Sequence, residues 1–286
     1  MKKILKSMSL TLALLLILCT NVYAKEAKEK DYINDLKIEE VDKLNLMKGI
    51  ITKEEFDKKY PKIKEIKEQE LKNNPKINES IIQPYALTYK SLANSMDFFT
   101  DVYSYGGNQT WNTGSVMEKG CGAVTACNIA AYHAKYYGRS SLYPYSSYSK
   151  ANFTNFQSFM FNSYVGGPSI LSDMTYGVPA YASSKGYSYG YSSNSCWNST
   201  SATYVQMVNL VKSSIDGNNP VALLIGPIFT SGYNDDLANH WVTITGYTES
   251  NPAVVTVSTW GTKREVNLYH LIRNRYFLDV ASFYRK

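Results

Sequence analysis

Hydrophobic and polar positions near the C-terminus follow the patterns of β-strands. Residues 220–225 form a short, continuous apolar run, which is typical of a buried strand. Residues 240–247 alternate between apolar and polar side chains, which predicts a half-buried strand, and residues 253–258 and 264–268 predict two more. We therefore expect antiparallel pairing at this end of the chain.

Helical spacing characterises earlier segments. Residues 202–215 carry apolar side chains at helical intervals, and the small residues that follow Cys121 predict a second, closely packed helix that ends at Gly138. Because helices precede strands, the fold class is α+β. The predicted apolar face of the 202–215 helix consists of Val205, Val208, Val211 and Ile215.

Residues 25–84 differ from the rest of the chain in composition. They contain 14 Lys and 14 acidic residues, whereas residues 85–286 are poor in charge and rich in Tyr, Ser, Asn and Gly, which places a domain boundary between them. A capping box starting at Thr52 predicts a helix to Lys59, and a preceding helix is expected to close at Gly49. The block is either a solvated helical spacer or a propeptide that inhibits the active site until it is removed.

The first 24 residues have the features of a secretory signal peptide. A basic segment precedes an apolar run that is too short for a membrane span, and Val22-Tyr23-Ala24 predicts cleavage after Ala24. Export leaves three cysteines, Cys121, Cys127 and Cys196, and an odd number means at least one free thiol. The predicted location is extracellular, with cell-wall association as an alternative.

Charge and motif content exclude several function classes. The formal net charge is +6, but three of these charges lie in the signal peptide and residues 25–84 are neutral overall. The remainder is too weakly basic to indicate a nucleic-acid partner. Because no metal-ligand spacing, phosphate-binding loop or dinucleotide motif occurs, neither a metal nor another cofactor is implied.

Cys121 is the candidate nucleophile. It lies between two glycines at the predicted start of a helix, where unpaired backbone N–H groups favour the thiolate. His133 lies on the same helix about 18 Å away, too far to act as the base. His240 opens a predicted strand after a polar loop and is the candidate base, while His270 is expected to be structural.

Three motifs in order resemble the papain-like cysteine peptidases. They are Gly-Cys-Gly at 120–122, HWVTITGY at 240–247 and VSTWG at 257–261, and they look closest to secreted bacterial peptidases related to the bacteriocin-processing C39 group. The resemblance covers most of residues 86–286. It implies a central helix carrying the cysteine, packed against a C-terminal antiparallel sheet, with Cys121 as nucleophile and His240 as base.

The resemblance also implies two supporting residues. An Asn or Asp normally orients the imidazole, but Ser258 stands at that position here, so Asp235 or Asp236 is an alternative orienter. An upstream glutamine normally completes the oxyanion hole, which points to Gln109, with Asn108 or Asn112 as substitutes.

The predicted function is hydrolysis of a peptide or protein substrate by a secreted thiol peptidase through an acyl-enzyme intermediate. One alternative is a peptidoglycan amidase or endopeptidase, since the Tyr-rich tract 143–191 could contact cell-wall glycan. Another is an inactive binding or adhesion module, which the substitution at Ser258 favours. Cys127 is expected to be a buried hydrophobe, and its pairing with Cys196 is left open.

Overall fold

The secondary structure is of the α+β class, with the strands concentrated in the second half of the chain. The computed structural model describes residues 37–73 and 88–286. The α-helices of these residues are α1 (Glu40–Met47), α2 (Lys53–Lys59), α3 (Pro61–Asn73), α4 (Gly114–Lys119), α5 (Cys121–Tyr136), α6 (Lys150–Met160), α7 (Leu171–Ser184), α8 (Ala202–Asp216) and α9 (Leu268–Asn274). The strands are β1 (Tyr89–Ser91), β2 (Tyr189–Cys196), β3 (Val221–Ile225), β4 (His240–Thr248), β5 (Asn251–Thr259), β6 (Thr262–Asn267) and β7 (Leu278–Arg285).

The seven strands of the described residues belong to one antiparallel sheet, which confirms the antiparallel pairing expected from the sequence. The order is β2-β7-β3-β4-β5-β6, and β1 adds to β4 outside this path. Strand β4 is buried at every position rather than half-buried as predicted, because α5 and α8 both pack against it. Its polar side chains remain hydrogen-bonded: Thr243 accepts from Asn128 and Thr245 accepts from Tyr105.

Helix α5 is the buried centre of the fold. It begins at Cys121 as predicted and ends at Tyr136, just before Gly138, whose positive φ of 66° suits a glycine after a helix C-terminus. Residues 122–134 are all buried, including alanines that allow neighbouring segments to approach closely. A helix that is buried on all sides belongs to the core, and this one packs against β4.

The buried face of α8 agrees with the predicted one only in part. Val205 is 57% exposed and Val208 is only partly buried. Val211 and Ile215 are buried as predicted, and Met207 and Ser214 complete the buried face. The apolar pattern was compatible with two neighbouring faces, and contact with the sheet selected the face that contains Met207.

The charged N-terminal block contains the predicted helices and packs against the sheet. Thr52 forms the capping box of α2 with Glu55, and Gly49 follows α1 with a φ of 67°. Lys43 is 1% exposed and its Nζ lies 2.8 Å from Asp279 Oδ1 on β7. Phe56 is fully buried, and its ring centroid lies 5.0 Å from that of Tyr276.

Residues 38–73 and 88–286 belong to one compact unit, so the described part of the charged block folds together with the strands. The predicted boundary between residues 84 and 85 lies outside the described residues, as do the signal peptide and its cleavage site after Ala24. Inhibition of the cleft by residues 25–84 therefore stays a prediction.

The Tyr-rich tract contains α6, α7 and the start of β2. Its aromatic rings largely pack against one another: the Tyr143 and Tyr148 rings stack with centroids 4.2 Å apart, and Tyr181 lies 5.6 Å from Phe156. Tyr176, at 77% exposure, is an exception. Core packing therefore accounts for most of this tract.

Candidate active site

Two glycines with different steric roles flank Cys121. A side chain on Gly120 would place its Cβ 2.3 Å from the Val116 carbonyl oxygen at the junction of α4 and α5. A side chain on Gly122 would place its Cβ 2.1 Å from Ser169 Oγ. Both contacts are far below van der Waals distance, so the Gly-Cys-Gly pattern follows from close approach of other segments to the start of α5.

Cys121 and His240 line the same cleft. Cys121 is half-buried at the first residue of α5, and His240, 7% exposed, is the first residue of β4. Backbone pairing of His240 with Ile225 on β3 fixes its position at the end of the sheet. The other residues that line the cleft are Gly107, Gln109, Val124, Thr125, Asn128, Trp241, Ser258, Thr259 and Trp260.

Trp241 helps to hold the start of β4 against the start of α5. Its indole Nε1 donates to the Ser169 carbonyl oxygen at 2.9 Å, and its side chain is 2% exposed. Its backbone N–H donates to the Cys121 sulfur. The residue after the candidate base thus contacts the candidate nucleophile, a relation that the strand pattern alone does not predict.

The hydroxyl group that contacts the imidazole belongs to Thr259 rather than to the predicted Ser258. His240 Nε2 lies 3.0 Å from Thr259 Oγ1. Ser258 Oγ instead donates to the Tyr105 carbonyl oxygen at 2.6 Å. Successive side chains of a strand point to opposite faces, so a shift of one residue changes the partner completely.

A tight hairpin turn places Trp260 over the imidazole. Trp260 and Gly261 have φ values of 46° and 75°, and Thr259 pairs with Thr262, as in a two-residue turn with positive φ at both central positions. Positive φ is unusual for tryptophan. The Trp260 and His240 rings stack with centroids 4.3 Å apart and planes 20° from parallel, which shields the imidazole.

Gln109 lines the cleft as expected for an oxyanion donor. Its Nε2 donates to the Met117 carbonyl oxygen at 2.6 Å, which uses one of the two amide hydrogens. The substitutes do not line the cleft: Asn108 donates to the Trp260 carbonyl oxygen, and Asn112 donates to Gln157.

Burial dominates the electrostatics of the pair. It lowers the pKa of His240 to about 4, with the charge of Asp236 opposing and that of Arg264 adding to the shift. Burial also raises the pKa of the Cys121 thiol, although the N–H groups of Trp241, Gly122 and Cys121 act in the opposite direction. The N–H groups at the start of α5 therefore lower the pKa of the Cys121 thiol as predicted, but burial raises this pKa by more. At neutral pH the resting pair is a thiol and a neutral imidazole.

Asp235 and Asp236 form no hydrogen bond with His240. Asp235 lies 3.2 Å from Arg275 Nη2, and Asp236 lies 2.5 Å from Arg264 Nη1. The arginines, rather than the imidazole, orient these carboxylates, so neither is the predicted alternative orienter.

The remaining histidines and cysteines occupy structural positions. His133 is fully buried beside Tyr189, and the His270 ring packs against Tyr233 at 5.3 Å between centroids. Cys127 and Cys196 are buried free thiols, so no disulfide joins them.

Comparisons with known proteins add no family assignment: the sequence matches no protein-family model and no curated protein. The papain-like resemblance therefore rests on the three motifs alone. Within residues 37–73 and 88–286, no group of His, Cys, Asp and Glu side chains is arranged to bind a metal ion. No helix in the same ranges is long and apolar enough to cross a membrane.

Proposed function

We propose that this protein is a secreted, papain-like cysteine hydrolase that cleaves an amide bond in a peptide or protein. The observation that carries the proposal is the shared cleft of Cys121 and His240, which come from elements 119 residues apart in sequence. A thiol and an imidazole in one cleft, with a hydroxyl group in contact with the imidazole Nε2, are the parts that nucleophilic acyl transfer needs.

The chemistry starts from the neutral pair. Thr259 contacts Nε2 of His240, so Nδ1 is the nitrogen that takes the thiol proton as sulfur attacks the carbonyl carbon. The Cys121 N–H and the Gln109 amide stabilise the resulting oxyanion. The imidazolium then protonates the leaving amine, and water hydrolyses the thioester with His240 again as base.

Thr259 makes this site different from one with an amide or carboxylate orienter. A hydroxyl both donates and accepts, so it holds either neutral tautomer of His240 and adds no negative charge to stabilise an imidazolium. We expect Thr259→Val to lower kcat by about 10-fold or more through loss of imidazole orientation, and Thr259→Asn to retain activity. Equal rates for wild type and Thr259→Val would exclude this positioning role.

The main test compares hydrolysis of casein with that of purified peptidoglycan by the full secreted chain. Cys121→Ala should abolish hydrolysis, and Cys127→Ala, which removes a buried thiol on the same helix, should not. Iodoacetamide should label Cys121 in the folded protein, because His240 takes the thiol proton as the sulfur reacts, and it should leave the buried Cys127 and Cys196 unlabelled.

The outcomes separate the candidate functions. Full activity of Cys121→Ala would overturn the proposal. If the protein hydrolyses peptidoglycan but not casein, the enzyme is a peptidoglycan amidase or endopeptidase. An unreactive Cys121 together with no hydrolysis of either substrate would support an inactive binding module.

A further inference from the structure

The loop before Gln109 is held in place by buried side chains from two elements. Gly107 N–H donates to Asn128 Oδ1 of α5 at 2.8 Å, and Ser258 of β5 donates to the Tyr105 carbonyl oxygen. We call residues 104–109 the oxyanion loop, because it ends at the candidate oxyanion donor. Its position relative to Cys121 depends on these bonds.

Asn128 is the residue that connects this loop to the nucleophile helix. It lies seven residues, or two turns, after Cys121, so both side chains are on the same face of α5 and both line the cleft. Its Nδ2 donates to Thr243 Oγ1 of β4 at 3.1 Å and lies 3.5 Å from Ser258 Oγ. The amide group of Asn128, which is 1% exposed, therefore connects α5 with the sheet and with the oxyanion loop.

The glycines of the loop show how closely it is packed. A Cβ on Gly106 would lie 2.5 Å from Ser258 Oγ and 2.9 Å from Asn128 Nδ2. A Cβ on Gly107 would lie 2.4 Å from the Phe153 ring. The loop is in tight contact with these supports, so removal of a supporting side chain leaves a cavity and allows the loop to change position.

We propose that Asn128 is a positioning residue that sets the placement of Gln109, and so of the oxyanion hole, relative to Cys121. This inference rests on the proposed hydrolase function. Displacement of a catalytic group by about 1 Å can cost about 100-fold in rate. Because an oxyanion forms only in the transition state, loss of Asn128 should lower kcat with little change in KM.

The test is a double-mutant cycle of Asn128→Ala and Gln109→Ala in the full secreted chain. Each single variant should lower kcat by about 10- to 100-fold, and the double variant should be no slower than Gln109→Ala alone. The iodoacetamide reactivity of Cys121 should stay unchanged in all three variants. Asn198→Ala, which removes another fully buried asparagine that does not line the cleft, serves as the control for general loosening and should keep its kcat.

A second measurement does not depend on activity. The Gly107 amide should exchange slowly with solvent in the wild type and faster in Asn128→Ala. If Asn128→Ala does not fold, Thr243→Val removes the acceptor of Asn128 Nδ2 without touching the cleft, and it should produce a smaller kcat loss in the same direction.

The results distinguish failure of this inference from failure of the proposed function. Three outcomes would overturn the positioning role and leave the proposed hydrolase function intact. They are additive effects of Asn128→Ala and Gln109→Ala, an unchanged kcat of Asn128→Ala, and equal Gly107 exchange rates in Asn128→Ala and the wild type. A wild-type protein that hydrolyses neither casein nor peptidoglycan would overturn both proposals.

Discussion

Buried His133 should make the protein sensitive to mild acid. It is fully buried on α5, and its Nδ1 lies 2.8 Å from the Tyr189 hydroxyl oxygen. Burial, helped by the positive charge of Arg139, lowers its pKa to about 3. The folded protein thus keeps this imidazole neutral at pH values where the unfolded chain protonates it.

The magnitude follows from the two pKa values. With a pKa of about 6.5 in the unfolded chain and about 3 in the folded protein, the unfolded state binds more protons between these values. The free energy of unfolding therefore falls as pH decreases through this window. At about pH 4 the loss attributable to His133 is about 3 kcal/mol relative to neutral pH, a large part of the stability of a typical domain.

Urea unfolding, followed by tryptophan fluorescence from about pH 7.5 to about pH 4, measures this effect. His133→Gln has no titrating group at this position. The fall in its free energy of unfolding over this range should therefore be about 3 kcal/mol smaller than that of the wild type. His240 contributes equally to both proteins and cancels in the comparison. Tyr189→Phe keeps the imidazole and should retain the acid sensitivity of the wild type. Parallel pH profiles for wild type and His133→Gln would refute the reasoning.

Three further predictions concern the docked N-terminal block, the start of α5 and the candidate base. Lys43→Met should destabilise the protein by about 3 kcal/mol, because it leaves the Asp279 carboxylate buried without its cation. In thermal unfolding, the double variant with Asp279→Leu should regain much of this loss. Equal stability of Lys43→Met and the double variant would contradict the prediction. Gly122→Ala should lower both the melting temperature and Cys121 reactivity because of its clash with Ser169, and Ser169→Gly should partly rescue it; a variant as stable as wild type would show that the site can relax. The acid limb of kcat/KM should have its midpoint near pH 4, since only the neutral imidazole accepts the thiol proton, and a midpoint near pH 6.5 would contradict the burial of His240.

The secondary structure of the C-terminal half was largely predictable from local pattern. The run at 220–225 and the alternation at 240–247 correspond to β3 and β4, and the capping box at Thr52 marks the start of α2. These signals are local, since each depends on residues a few positions apart. β2 and β7 lacked such a signal in our prediction, and they pair with each other over a separation of more than 80 residues.

The candidate site was predictable only in part. Cys121 was recognised by its two flanking glycines, and His240 by its place at the start of a predicted strand. In the structure the two residues line one cleft. Thr259 was missed because motif alignment does not reveal which of two adjacent strand residues faces the imidazole. Asn128 was missed because a lone asparagine in an apolar helix carries no local signature.

The sequence by itself determined the local elements: where α5 begins, where α2 begins, and which segments form β3 and β4. Tertiary structure alone decided the partners. It brought the charged block against β2 and β7, selected Thr259 over Ser258 for contact with His240, and left the cysteine and histidine neutral. The physical reason is that side-chain direction, burial and desolvation depend on segments distant in sequence, which no local pattern encodes.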